Sequence, residues 1–145
     1  MPQILELIRD DHDLIRVLFD DLESKQESRD VRCITLRREL TGHMYAEEAT
    51  LYAWLQDVVP EEIRRSLDEH DAVRAALVRF ERIPLRDDAW MPGLRELREE
   101  IEAHFATEEG RVFALAEQHL SQDNLFELGE TFRQEKEAAA QTAVV

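Results

Sequence analysis

Four histidines and two glutamates carry the chemistry that this sequence suggests. They follow one order, a histidine and then a His-x-x-x-Glu motif, and this order occurs twice along the chain. The six residues are His12, His43, Glu47, His70, His104 and Glu108. Imidazole nitrogens and carboxylate oxygens are ligands for divalent transition metals such as iron. The four-residue spacing within each motif places both side chains on one face of a helix.

The two sets of candidate ligands belong to an internal repeat. A shift of 61 positions superimposes the first His-x-x-x-Glu motif and its apolar neighbours on the second. A shift of 58 positions does the same for the acidic and apolar residues around His12 and His70. We therefore interpret the chain as two copies of one helical hairpin, each of which supplies the same three candidate ligands.

Four long segments with apolar residues at helical spacing must position these side chains. The pattern predicts helices at residues 3–24, 29–57, 60–82 and 91–119, a loop at 83–88, and a fifth helix opened by Ser121 or Asp123. Helices joined by short connections run antiparallel, so mid-helix residues meet at one level. The sequence predicts an all-α, antiparallel up-down four-helix bundle at residues 1–120, then a short C-terminal helix and frayed tail at 121–145.

Helical phase places the candidate ligands on the buried faces of their helices. At about 100° per residue, His43 shares an arc of roughly 80° with Glu47 and its apolar neighbours. Trp54 falls in the same arc and is expected to form the apolar floor of the site. Tyr52 is a further candidate ligand, since a phenolate suits ferric iron, but it lies about half a turn away, which disfavours it. Buried carboxylates are costly unless a cation neutralises them. The alternative is a metal-free bundle in which the histidines are hydrogen-bonded core residues.

Six donors that include two carboxylates favour two metal ions over one, because a carboxylate has two oxygens and can bridge adjacent ions. Di-metal carboxylate sites of this kind lie in the interior of helical bundles. A single octahedral ion is an alternative. Structural zinc is disfavoured, because four donors would suffice for it and thiolates are absent from the candidate set.

The arrangement resembles the hemerythrin-like HHE cation-binding family over nearly the whole chain. The matching segments are Asp11-His12-Asp13, His43-Met44-Tyr45-Ala46-Glu47-Glu48, Glu69-His70-Asp71 and His104-Phe105-Ala106-Thr107-Glu108-Glu109. The resemblance implies an oxo- or hydroxo-bridged di-iron pair, with Glu47 and Glu108 as bridging carboxylates. Oxygen-carrying members usually have a fifth histidine where this chain has Arg74, and arginine does not ligate iron.

The arginine at this position favours open coordination positions, and therefore chemistry or a different ligand over simple oxygen carriage. The resemblance implies a di-iron protein that binds or reacts with O2, NO or peroxide. Two alternatives stay open. One is catalase-like decomposition of peroxide, and the other is an iron-sensing, oxygen-sensing or iron-handling role without turnover.

The composition of the chain limits which binding partners and which cellular compartment are expected. A net charge of −15 argues against nucleic acids and anionic membrane surfaces, because both are polyanions. The single cysteine, Cys33, cannot form an internal disulfide. The N-terminal segment lacks a signal-peptide pattern, and no apolar run approaches the roughly 20 residues that cross a bilayer. We therefore expect a cytoplasmic protein, monomeric or weakly dimeric.

Overall fold

A computed structural model describes the backbone of residues 2–144 and the side chains of residues 2–141. The fold is all-helical. Helix α1 spans Ile4–Ser24. Helix α2 begins with Arg29–Glu47, continues through a π-helical turn at Glu48–Tyr52 and ends with Ala53–Leu55. Helix α3 spans Pro60–Glu81. Helix α4 contains Trp90–Thr107, a second π-helical turn at Glu108–Val112, and Phe113–His119. Helix α5 spans Gln122–Val144.

The helix ends have local causes in the sequence. The Gln3 side chain accepts a hydrogen bond from the Leu5 amide and caps α1. Pro60 occupies the first position of α3, where its missing N–H removes no helical hydrogen bond. Ser121 caps α5, since its hydroxyl accepts from the Asn124 amide. Helix α4 begins at Trp90, one residue before the predicted start.

The first four helices form the predicted antiparallel bundle, and α5 packs against α1 and α2. Helix α5 has 23 residues, so it is longer than the short helix expected from the sequence. The tail predicted to fray comprises residues 138–145; the helix continues through Val144, and the side chains of 142–145 lie outside the described residues. Within the described part of the chain, no helix combines the length and apolar character needed to cross a bilayer.

Two apolar clusters fill the bundle, one on each side of the level where the histidines lie. The first cluster includes Ile15, Phe19, Leu36 and Leu97, and the second includes Ile8, Leu51, Ile63 and Val112. Helix α1 passes through both clusters, with His12 between Ile8 and Ile15. The polar layer is therefore enclosed by apolar side chains above and below, which keeps water away from it.

Candidate metal centre

The six predicted ligands meet in the middle of the bundle. Five of them are completely buried, and His104 is 6% exposed. The donor atoms form two groups, within each of which they lie no more than 4.8 Å apart. The first group is His12, His43, Glu47 and Glu108, and the second is Glu47, His70, His104 and Glu108. The two glutamates belong to both groups, so they occupy the positions that bridging carboxylates would need.

The imidazoles direct their Nε2 atoms at these two carboxylates. His12 Nε2 lies 3.1 Å from Glu108 Oε1, and His43 Nε2 lies 3.2 Å from Glu47 Oε1. The second half of the bundle is similar, since His70 Nε2 is 3.2 Å from Glu47 Oε1 and 3.1 Å from His104 Nε2. Each ion-sized space would thus receive two nitrogens and oxygens from two carboxylates.

Each histidine also has an acidic partner on the opposite side of its ring. The Nδ1 contacts are His12 with Glu109 (2.7 Å), His43 with Asp11 (2.9 Å), His70 with Glu48 (2.7 Å) and His104 with Glu69 (2.6 Å). An ionised carboxylate only accepts hydrogen bonds, so these contacts place the ring proton on Nδ1. The lone pair of every Nε2 is then available to a metal, and the rings are fixed in orientation.

Sequence reasoning assigned no definite role to these four outer carboxylates. The signal that could have found them is the repeat itself. An acid precedes His12 and His70, and a second acid follows Glu47 and Glu108, at equivalent positions of the two copies. Two of the four outer contacts join different hairpins, which the periodicity of a single helix could not reveal.

The π-helical turns change which side chains of α2 and α4 face the centre. A π turn contains one residue more than an α turn, so it rotates the following side chains by about 100°. In α2 this rotation brings Tyr52 into the core, where its side chain is 1% exposed. Leu55 is also buried, whereas Trp54 is 36% exposed. The expectation that Trp54 forms the floor of the site is therefore wrong.

Tyr52 reaches the centre, although the phase of an uninterrupted α-helix disfavoured this. Its hydroxyl donates a short hydrogen bond to Glu108 and lies 3.4 Å from His70 Nε2. Burial, followed by the charges of Glu108 and Glu47, raises the pKa of Tyr52 well above its usual value. The side chain is thus a neutral donor in the metal-free protein, and its oxygen is close enough to be a seventh candidate ligand.

Arg74 does not join the ligand group. Its guanidinium donates to Glu48 at 2.8 Å and to Asp71 at 3.2 Å, and the side chain is 38% exposed. Arg16, at the equivalent position of the first repeat, contacts Glu109 in the same way, at 3.3 Å. Both arginines therefore support the carboxylates that orient His70 and His12.

An aromatic ring of α4 lines one side of the centre. Phe105 stacks on His12, with the ring centroids 3.7 Å apart and an interplanar angle of 13°. Phe105 is 1% exposed. It follows His104 directly in the sequence, so α4 supplies both a candidate ligand and an apolar wall.

The electrostatics of the centre fit a cation. Burial, followed by the neighbouring Glu108 carboxylate, raises the pKa of Glu47 well above its ordinary value. The 3.2 Å contacts of His43 and His70 with Glu47 do not have hydrogen-bond geometry, so among the described residues His43 Nε2 and both carboxylate oxygens of Glu47 are buried without a hydrogen-bond partner. Buried polar atoms are rarely left unpaired, because each costs about 1–3 kcal/mol. These orphaned atoms all point into the shared space, where a metal ion would satisfy them.

A buried cluster of imidazoles and carboxylates inside an antiparallel bundle defines a cation-binding helical domain. The family model of the hemerythrin HHE cation binding domain matches residues 3–116. The chain therefore belongs to this family, as its motifs had implied.

Two relatives and one solved structure are similar to this chain at low identity. An uncharacterized hemerythrin-like protein of Schizosaccharomyces pombe is 26% identical over 145 residues, with 94% of this chain and 70% of that protein covered. A DNA nickase of Nostoc sp. is 24% identical over 136 residues. This match covers 92% of this chain but only 39% of the length of the nickase. The crystal structure of a hemerythrin HHE cation binding domain-containing protein from Mycobacterium kansasii has a TM-score of 0.90 and 24% identity. The match covers 99% of this chain and 91% of the crystallised chain. At 24% identity this similarity supports the fold alone.

Proposed function

We propose that this protein holds two iron ions in the centre and binds or reacts there with a small ligand, namely O2, NO or peroxide. The observation that carries the proposal is the pair of overlapping four-residue groups that share Glu47 and Glu108. Two sets of donors with two common carboxylates suit a bridged pair better than one ion. Nitrogen and carboxylate donors without thiolates suit iron, and a structural zinc would need only four ligands.

When bound, an iron pair supplies redox and Lewis-acid chemistry that the side chains lack. The residues of the chain bind, orient and shield it. The outer carboxylates hold the imidazoles in one tautomer, and the two apolar clusters exclude water. Tyr52 adds a phenol oxygen beside Glu108 and His70. This phenol is positioned to donate a proton to a ligand or to bind the metal itself.

The burial of the centre supports a small exogenous ligand. The six proposed ligands are at most 6% exposed, and Tyr52 and Phe105 beside them are 1% exposed. A large organic substrate could not approach without opening the bundle, whereas diatomic molecules and peroxide could diffuse through side-chain motions. Catalase-like decomposition of peroxide is the enzymatic form of this proposal.

A second candidate function is iron sensing or handling without turnover. The favouring observation is the uncompensated Glu47, whose burial without a cation destabilises the metal-free fold. Metal binding would then be coupled to stability, and occupancy could change recognition by a partner. The acidic charge of the chain does not suit a nucleic acid and so does not favour the nicking activity named for the Nostoc relative.

Metal analysis tests the proposal most directly. Protein expressed with added iron is expected to contain two irons per chain and to show visible absorption that changes with azide, NO or peroxide. His43→Ala should lower the iron content, whereas His119→Ala changes an exposed histidine outside the site and serves as the matched control. One zinc per chain, or no bound metal, would refute the di-iron assignment. Oxygen release from added peroxide separates the enzymatic form from the sensing form.

A further inference from the structure

Helix α5 reaches the metal centre at two points, although it lies outside the residues matched by the family model. The ring of Phe132 packs edge-on against His43, with centroids 6.0 Å apart at 78°. Lys136 Nζ lies 2.7 Å from Asp11 Oδ1 of α1 and 2.9 Å from Glu39 Oε2 of α2, so both helices hold the lysine. The other oxygen of Asp11 contacts His43 Nδ1 at 2.9 Å. Lys136, Asp11 and His43 therefore form a continuous polar chain from α5 to a candidate ligand.

The surface of α1 and α2 is adapted to receive α5. Gly129 of α5 passes so close to the start of α1 that an added Cβ would lie 3.2 Å from the Ile4 nitrogen and the Pro2 carbonyl oxygen. On α2, the place where a Gly42 Cβ would sit is 3.6 Å from the aliphatic stem of Lys136. This close packing fixes the lysine beside Asp11.

The equivalent surface of the second hairpin differs in chemistry. Under the 58-residue repeat, the apolar Ile4 and Leu7 of α1 correspond to the charged Glu62 and Arg65 of α3. Glu69, the equivalent of Asp11, has a side chain that is 31% exposed, compared with 13% for Asp11. Among the described residues, no lysine or arginine lies in salt-bridge contact with Glu69. The pseudo-symmetry of the centre is therefore broken at this point.

We propose that Lys136 is a positioning residue that acts on His43 through Asp11, and that α5 thereby makes the two metal-binding halves unequal. The lysine holds Asp11 in one rotamer, and Phe132 restrains the ring that Asp11 orients. The half built on His12 and His43 is therefore more rigid and better covered than the half built on His70 and His104. Its ion should dissociate more slowly. This inference rests on the proposed di-iron site.

Iron release to a chelator provides the test. Release from the wild type should be biphasic, with the slow phase belonging to the half covered by α5. Loss of a group that orients a metal-bound histidine typically weakens binding 10–100-fold, and we expect the lower end for a residue acting through another. Lys136→Met, which keeps the length of the side chain, should accelerate the slow phase about tenfold and leave the fast phase unchanged. Lys136→Arg should retain most of the slow release.

Mössbauer spectra of the iron-loaded protein distinguish a positioning role of Lys136 from a merely structural one, because a general loss of stability would not change one iron environment selectively. Two iron environments are expected, and Lys136→Met should shift only one of them. Arg133→Met is the matched control, because it removes a charge from the same helix at an exposed side chain that does not contact Asp11. It should change neither the spectrum nor the release kinetics.

The outcomes separate this inference from the proposed function. Wild-type protein without two irons would refute the proposed function itself. Two irons with wild-type spectra and release in Lys136→Met, or equal shifts of both environments, would overturn only the role of α5. Asp11→Asn keeps an acceptor for His43 but removes the carboxylate charge that lies between His43 and Lys136, whose remaining acidic partner is Glu39. It should accelerate the slow phase at least as much as Lys136→Met, and adding Lys136→Met to it should cause no further change. If Lys136→Met does not fold, Lys136→Gln, which also removes the charge, decides the question: a slow phase like that of the wild type would overturn the role of Lys136.

Discussion

Replacing Tyr52 with phenylalanine tests whether the π-helical turn places a phenol at the centre. The substitution keeps the buried ring and removes only the hydroxyl that donates to Glu108. A hydrogen bond to a charged group contributes about 1.5–3 kcal/mol. At about 3 °C per kcal/mol for a chain of this size, the metal-free variant should melt roughly 5–10 °C lower. In the iron-loaded protein, Tyr52→Phe should also alter the visible spectrum, because a phenol oxygen 3.4 Å from His70 Nε2 is removed.

Tyr45 provides the control for this experiment. It is the other tyrosine of the chain, it lies on the same helix, and it is 46% exposed. Tyr45→Phe should change the unfolding free energy by no more than about 0.5 kcal/mol. If Tyr52→Phe behaves like Tyr45→Phe in both the melting and the spectroscopic assay, the hydroxyl does not take part in the centre. The reasoning from the π turn to the site would then be refuted.

Three further changes probe the centre and its helical phase. Glu69→Gln removes the charged partner of His104 and should weaken metal binding about tenfold in a competition titration with a chelator, while an unchanged affinity would deny the outer carboxylate its role. In the metal-free protein the pKa of Glu47 is higher in the folded than in the unfolded chain, so the free energy of unfolding should fall as the pH rises from the unfolded pKa through the folded pKa. Glu47→Gln should abolish this decline, which denaturant unfolding at a series of pH values would measure. Leu51→Ala should cost about 2–5 kcal/mol of unfolding free energy, and Trp54→Ala, at a side chain 36% exposed, distinctly less. The reverse order would mean that the π turn does not set the phase of α2.

The helices and the ligand set were predictable because both depend on local patterns. The spacing of apolar residues gave helix boundaries that agree with the structure to within two residues for the four bundle helices. His12 and His70 lie on helices without a π turn, and the other four candidate ligands lie before or at the start of one, so the ordinary helical phase applied to all six. The internal repeat then predicted that the two halves would converge, and the structure brings these side chains together.

The π turns and the long-range contacts were not predictable in the same way. Nothing in the segments Glu48–Tyr52 and Glu108–Val112 marks them as π-helical, since no proline interrupts them and their residues are compatible with an α-helix. An uninterrupted helix puts Trp54 inward and Tyr52 outward, and the inserted residue reverses this. The contact between Lys136 and Asp11 joins residues 125 positions apart, which periodicity alone cannot connect.

The metal centre is built from both helical hairpins and connects them. One hairpin supplies His12, His43 and Glu47, and the other supplies the corresponding three residues. In each of the two four-residue groups, both imidazoles come from one hairpin, and one of the two glutamates comes from the other hairpin. Since each glutamate is buried against the opposite hairpin, a cation between them would turn their repulsion into a force that holds the hairpins together.

The departures from this symmetry fall on opposite halves. The 61-residue shift takes Tyr52 to Phe113, so only the half with His70 has a phenol beside it. The other half, with His43, is the one against which Phe132 and Lys136 of α5 pack. One half therefore has an extra polar oxygen and less cover, and the other is sealed by a fifth helix. Removing the Tyr52 hydroxyl should therefore disturb the half with His70 more than the half with His43.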